Sequence, residues 1–194
     1  MKNFKWSIVS FDSSPVYVVL FVSRKKDNKD LEGFVERREA FITHHTQHSD
    51  FLTTRFKEFV ERGQKGELSR MYISINQRKT EAIRRELLHF LIDNPDFNLC
   101  SIPAKLAGIA AKKECAETKK WMFDFDSEDV AELSRFLADL QTMIGKDEIE
   151  THKTPHGYAI IVDHGFDTRK LNKEWPDVGL KKDDLLCCKW EIKE

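Results

Sequence analysis

The stretch Lys120-Trp-Met-Phe-Asp-Phe-Asp-Ser127 is the part of the sequence that says most about the fold. Its aromatic residues alternate with aspartates, which is the two-residue period of a β-strand with one buried face. Helical spacing follows, with one apolar face made of Val130, Leu133, Phe136, Leu137, Leu140 and Ile144. We therefore predict a buried strand that runs directly into an amphipathic helix, which Ser127 caps and Gly145 closes.

A similar strand and helix precede this unit. Residues Arg70–Ile75 alternate as a strand, and Lys79–Asp93 has a helical apolar face of Ile83, Leu87, Phe90 and Leu91 before Pro95. The segment Ile102–Lys113 is small and basic. Further strands are predicted at about 147–152, 157–163 and 185–192. This order predicts an α+β protein with a mostly antiparallel sheet covered by helices.

The first third of the chain predicts a strand pair followed by helices. Phe4–Ser10 and Val16–Ser23 have strand composition, and turn residues lie between them, so we expect a hairpin. A helix is predicted from Asp30 to about His48. Ser49 caps a second helix that buries an apolar face and ends at Gly63–Gly66; that face comprises Phe51, Leu52, Phe56, Phe59 and Val60. We divide the chain into an extension, 1–66, and a core, 67–194, expected to form one compact unit.

Composition limits the classes of function. The 194 residues include 40% hydrophobic residues and 14 Phe, enough for one good core. No apolar run approaches the roughly 18 to 20 residues of a membrane span, and the amino terminus lacks a secretion signal. We therefore expect a cytoplasmic protein with no membrane contact. The net charge is −1, so affinity for phosphate would require a local cluster of basic residues. The four cysteines form no CxxC pair, and we expect them to be reduced thiols.

Asp124 and Asp126 are the best candidates for a functional site. Residues two apart on a strand point the same way, so the two carboxylates repel each other unless a cation offsets them. Mg²⁺ or Mn²⁺ bound by the carboxylates and by phosphate oxygens is a common arrangement. In the alternative interpretation, Asp126 is only a helix N-cap and Asp124 a solvated acid at a strand end.

A second cluster follows one helix later, in Thr151–Val162. Pro155 and Gly157 predict a turn that displays Lys153, Thr154 and His156, all able to contact phosphate. Further phosphate-binding candidates are Arg78, Lys120 and Lys182. His44 and His48 are four apart and would share a face of a helix that could bind zinc, but His45 stands where the zincin pattern has Glu, so we expect an exposed or helix-end cluster there.

The sequences Phe123-Asp-Phe-Asp126 and Thr154-Pro-His-Gly-Tyr158 resemble the archaeo-eukaryotic primase and primase-polymerase superfamily over about residues 70–192. The resemblance implies a core related to the RNA-recognition fold and metal ligation by Asp124 and Asp126. The family places a phosphate-binding histidine on the strand after Gly-Tyr. This chain has Ala159 there, so His156 or His152 would have to substitute for it. The family's third acid is taken as Asp163, with Asp183 and Asp184 left open.

Two functions follow from these expectations. The first is a metal-dependent nucleotidyltransferase, primase-like, in which Asp124, Asp126 and His156 act on a nucleotide or nucleic acid. The second is a non-catalytic module with a degenerate site, derived from a phage or mobile element, that binds nucleic acid or a protein. The N-terminal helices would then dock the protein partner. A phosphatase of the haloacid-dehalogenase type ranks last, because that family has its acidic motif on the first strand.

Overall fold

The computed structural model describes residues 15–145 and 149–194, which contain eight β-strands and five α-helices. The strands are β1 (Tyr17–Ser23), β2 (Arg37–Thr43), β3 (Leu68–Ser74), β4 (Trp121–Phe125), β5 (Ile149–Thr154), β6 (Gly157–Val162), β7 (Gly179–Lys181) and β8 (Leu185–Ile192). The helices are α1 (Asp50–Glu61), α2 (Thr80–Asp93), α3 (Ile102–Ala110), α4 (Val130–Ile144) and α5 (Arg169–Glu174).

The strands form two four-stranded sheets, and every pairing within them is antiparallel. The first sheet has the order β2-β1-β3-β8 and the second β5-β6-β4-β7. The predicted α+β class and antiparallel pairing are confirmed. The first sheet takes strands from both sides of the boundary predicted at residue 66. The hairpin partner predicted at Phe4–Ser10 lies outside the described residues.

Three apolar clusters hold the layers together. The central cluster joins the two sheets and α1: Met71 and Ile73 come from the first sheet, Met122 and Ile161 from the second, and Phe56 from the helix. A second cluster packs α4 and α5 on the outer face of the second sheet. A third packs α2 and α3 on the outer face of the first sheet. Each sheet is thus covered on both faces, and the second sheet uses one face to contact the first.

The pattern that predicted β4 and α4 is confirmed, with one correction at the helix start. Leu133, Phe136, Leu140 and Ile144 are buried against β4, and the helix ends at Gly145. Ser127 is not the cap. Asp129 accepts hydrogen bonds from the backbone N–H groups of Ala131 and Glu132, because α4 begins only at Val130. Val130 is 64% exposed as a result.

The helix predicted from Asp30 to about His48 is wrong, because this region contains β2. The charged residues of β2 have partners that the local sequence does not reveal. Arg37 forms an ion pair with Glu67, and Glu39 accepts from Arg55 and Arg62. The second predicted helix is confirmed as α1, with Ser49 accepting from the Leu52 N–H. Phe51 was expected to be buried there but is 40% exposed.

Asn76 fixes the position of β4 relative to the first sheet. Its side chain is 1% exposed, and its amide donates to the Lys120 carbonyl at 3.1 Å. Its carbonyl oxygen accepts from the Lys120 N–H at 2.7 Å and from the Thr118 hydroxyl at 2.8 Å. The start of β4 is therefore bonded to the segment that follows β3. In the described ranges, none of the helices is long and apolar enough to cross a membrane.

Candidate metal and phosphate site

The end of β4 carries the acidic pair, and its side chains alternate as expected. Phe123 and Phe125 are 1% and 2% exposed and pack against Phe136 of α4. Met122 lies on the opposite face, within the core between the two sheets. Asp124 shares that face because strand side chains alternate with a period of two. Asp124 is half-buried, and Asp126, one residue beyond the strand, is exposed.

The Asp124 carboxylate lies in an unfavourable electrostatic environment. Burial raises its pKa, and the negative charges of Asp126 and Asp184 raise it further, while Lys181 acts in the opposite direction. Within the part of the chain that the structure describes, the carboxylates of Asp124 and Asp126 have no hydrogen-bond or ion-pair partner. Repulsion between these carboxylates is therefore only partly offset by a nearby lysine.

The interpretation of Asp126 as a helix cap is excluded by its surroundings. Asp129 caps α4, and the Ser127 hydroxyl donates to Glu132 while accepting from the Asp129 N–H. The backbone groups at the start of the helix are thus bonded to other residues. Asp126 is left with a solvated carboxylate beside Asp124.

Of the three candidates for a third acid, Asp184 is the one whose charge acts on Asp124. Asp163 follows β6 and lies at the opposite end of the strand pair, because Val162 is in register with Trp121 and Ala159 with Asp124. It pairs there with Lys120 at 3.1 Å. Asp183 accepts from Arg78 at 2.9 Å and from Asn76 at 3.1 Å. Among the described residues, no group of three or more His, Cys, Asp or Glu side chains is arranged to hold a metal ion.

The β5–β6 hairpin brings its tip to the acidic end of β4. A Cβ atom at Gly157 would lie 2.1 Å from the Phe125 carbonyl oxygen and 2.8 Å from the Ser127 nitrogen. This close approach requires glycine, and its φ of +154° also favours glycine. His156 is therefore held beside the residues that follow β4. Its Nε2 lies 3.4 Å from Nη2 of Arg70, which donates to Asp27 at 2.8 Å.

A row of three residues crosses the second sheet at the level of Asp124. Ala159 of β6 is in register with Asp124 on one side and with His152 of β5 on the other. Residues in register share a face of the sheet, so all three lie on the face toward the first sheet. The resemblance to primases expects histidine at position 159. Here the nearest imidazole on that face is one strand further away, at His152.

Except for Thr154, the other predicted phosphate contacts lie away from Asp124. Lys153 is in register with Tyr158 and Phe125, so it lies on the opposite face of the sheet, whereas Thr154 shares the face of Asp124. Arg78 is 2% exposed and committed to Asp183. Lys120 is paired with Glu150 at 2.7 Å, at the other end of β4.

Lys182, Lys181 and the histidine cluster have positions that the sequence did not predict. The Lys182 ammonium lies 4.7 Å from the centre of the Trp121 ring, not at the acidic pair. Lys181 was missed because β7 is only three residues long and its pairing beside β4 has no local signal. His44, His45 and His48 lie in the loop between β2 and α1, so their helical spacing has no meaning. His45 stacks on Phe51 instead, with 4.5 Å between ring centres.

Comparison of the chain with protein-family models, curated proteins and solved structures finds no match. The resemblance to primases therefore remains a prediction based on the motif residues.

Proposed function

We propose that Asp124 and Asp126 bind a divalent cation, Mg²⁺ or Mn²⁺, and through it the phosphate groups of a nucleotide or nucleic acid. The observation that carries the proposal is the half-buried Asp124 carboxylate, which has two acidic neighbours and no ion-pair partner in the described chain. A hard cation with oxygen ligands would relieve this repulsion. Water and phosphate oxygens would complete the coordination, because among the described residues no third His, Cys, Asp or Glu side chain is arranged with this pair to hold a metal ion.

The surroundings of the acidic pair support contact with phosphate. His156 lies at the tip of the hairpin beside the end of β4, and His152 shares the face of Asp124. Imidazole N–H groups donate hydrogen bonds to phosphate oxygens. As a primase-like nucleotidyltransferase, the protein would hold the metal through Asp124 and Asp126, and the metal would polarise the α-phosphate of a nucleoside triphosphate for attack by a hydroxyl group, with pyrophosphate as the leaving group.

A non-catalytic binding module is the second candidate, and specific observations favour it. Ala159 occupies the position at which the resembling family has histidine, and Arg78 and Lys153 lie away from the acidic pair. A protein of this kind would retain metal-assisted phosphate binding without nucleotidyl transfer.

Binding of Mn²⁺, followed by electron paramagnetic resonance, tests the metal site directly. We expect one ion to bind at millimolar concentration or below, and we expect Asp124→Asn combined with Asp126→Asn to abolish this binding. Asp163→Asn is the matched control, because Asp163 flanks the same strand pair at its other end. Absence of Mn²⁺ binding, or binding that persists in the double variant, would overturn the proposal.

Catalysis needs a separate assay. Primer synthesis and nucleotide incorporation should be measured with Mn²⁺ and Mg²⁺, using the same double variant as the negative control. Metal binding with incorporation that the double variant loses supports the enzyme. Metal and nucleotide binding without incorporation supports the binding module.

A further inference from the structure

A cavity of about 350 Å³ lies between the two sheets, on the side of β5. This volume lies within the range of roughly 300 to 1,000 Å³ that is usual for sites of small ligands. Four aliphatic side chains form an apolar lining on both sheets: Ile73, Ile75, Leu186 and Ile161. The cavity is therefore suited to the faces of a flat, uncharged group.

The cavity also has an edge with one unused donor and one unused acceptor. The Tyr17 hydroxyl accepts a hydrogen bond from Nε2 of Gln77 at 3.1 Å. Among the described residues, its own O–H proton and Oε1 of Gln77 have no partner. The adjacent Thr118 hydroxyl is already committed, because it donates to Asn76 and accepts from the Gln77 N–H. Tyr17 and Gln77 thus offer a donor and an acceptor side by side.

The charged residues at the cavity neutralise one another. Glu150 accepts from Lys120 at 2.7 Å and lies 3.5 Å from Nε2 of His152. Lys120 also pairs with Asp163 at 3.1 Å. Since the lysine is committed to two carboxylates, the described residues that line the cavity include no free ammonium group for an anion. Since Glu150 is committed to Lys120, it is also poorly suited to a cation.

We infer that this cavity binds the heteroaromatic base of a nucleoside. A nucleobase has two apolar faces and an edge that carries both donors and acceptors, as the lining and the Tyr17–Gln77 edge require. The inference rests on the proposed function in one respect, the direction of the phosphates. His152 lines the cavity and stands two strands from Asp124, about 10 Å at the usual spacing between strands. The 5′ end of a bound nucleoside would then lie at the His152 side of the cavity.

Nucleosides without phosphate test the cavity in the absence of metal. Adenosine, guanosine, cytidine and uridine are titrated into the full chain in EDTA, with saturation-transfer NMR and calorimetry as readouts. We expect at least one of them to bind and free ribose not to bind. Tyr17→Phe and Gln77→Leu should each weaken binding by about fivefold or more, since each removes one hydrogen bond. Tyr158→Phe and Gln141→Leu are the matched controls, because these residues lie outside the cavity.

The outcomes separate this inference from the metal site. No nucleoside binding at millimolar concentration, or binding that both cavity variants leave unchanged, overturns the cavity assignment. If Mn²⁺ binding is intact in that case, the proposed function stands. Nucleoside binding that the variants weaken, in a protein that binds no Mn²⁺, supports the cavity and overturns only the metal site.

Discussion

Replacing Asp124 with asparagine is expected to stabilise the metal-free protein. Asp124 and Asp126 are two positions apart, so their Cα atoms are about 7 Å apart along an extended chain. Coulomb's law gives a repulsion of about 0.6 to 2.4 kcal/mol at that separation, for effective dielectric constants of roughly 80 to 20. Asp184 adds repulsion and Lys181 offsets part of it. We therefore expect Asp124→Asn to raise the free energy of unfolding by about 1 kcal/mol at pH 7, or the melting temperature by about 2 to 4 °C.

The pH dependence of this difference has a definite sign. Burial and the neighbouring acids raise the pKa of Asp124 above 3.8, so the folded protein binds this proton more tightly than the unfolded chain. Wild-type stability consequently falls as the pH rises from 3.8 through the raised pKa of the folded state. The advantage of the asparagine variant should be absent at lower pH, grow through that window and stay constant above it.

Manganese should reverse the order of the two proteins. For a dissociation constant of about 1 mM, 10 mM Mn²⁺ would stabilise the wild type by about 1.4 kcal/mol and leave Asp124→Asn unchanged. Urea unfolding from pH 3 to pH 8, in EDTA and in Mn²⁺, measures both effects. The exposed Asp177, changed to Asn, serves as the control and should alter stability by less than about 0.5 kcal/mol. A variant less stable than the wild type at pH 7 in EDTA would show that Asp124 has a compensating partner and would refute the reasoning.

Three further substitutions test the framework around the site. Glu67→Gln should cost about 3 kcal/mol in urea unfolding at pH 7, because it breaks a buried ion pair with Arg37. Burial raises the pKa of Glu67, but hydrogen bonds from Arg37 and Gln64 lower it overall. The stability that this carboxylate contributes to the wild type is therefore lost as the pH falls below 4.5 through the depressed pKa of the folded state. A Glu67→Gln variant with the same acid sensitivity as the wild type would contradict this assignment. Asn76→Ala should lower the free energy of unfolding by about 3 kcal/mol, since it leaves buried groups at the start of β4 without partners. A loss below about 1 kcal/mol in thermal unfolding would argue against the role of Asn76 in fixing the start of β4. Gly157→Ala should lower the free energy of unfolding by about 2 to 3 kcal/mol and weaken Mn²⁺ binding. Gly108→Ala, at an open helical position, should raise the free energy of unfolding by up to about 1 kcal/mol. Equal effects of the two changes would be inconsistent with the close approach at Gly157.

Local patterns predicted the parts of the fold whose partners are close in sequence. Phe123 and Phe125 of β4 pack against Phe136 of α4, and this one contact buries both elements. It explains both the alternation in Trp121–Phe125 and the apolar face of α4. Strand β2 was missed because its charged residues look solvated in isolation. Their partners are Glu67, Arg55 and Arg62, which lie between 16 and 30 residues away. Tertiary pairing of this kind overrides local propensity.

The same distinction applies to the candidate site. The Asp124–Asp126 pair was predictable, because a spacing of two residues on a strand fixes a common face. The third acid was not predictable, because the positions of Asp163 and Asp184 depend on how strands distant in sequence pair with β4. Val162 is in register with Trp121, which places Asp163 at the far end, whereas Asp184 follows β7, the strand that pairs with β4 on its other side, and its charge acts on Asp124. Register between strands distant in sequence depends on the whole packed sheet.

The row Asp124–Ala159–His152 separates the two proposed functions in physical terms. A histidine at position 159 would lie one strand, about 4.8 Å, from Asp124, close enough for both to contact the same phosphate group. His152 lies two strands away and is held 3.5 Å from Glu150, so it can reach only a more distant part of the ligand. Ala159, between them, is 2% exposed and packs in the core between the two sheets, so it contributes no group to a ligand. Nucleotidyl transfer would therefore need a phosphate-binding group other than a histidine at position 159, whereas phosphate binding requires only the carboxylates, a metal ion and one of the imidazoles.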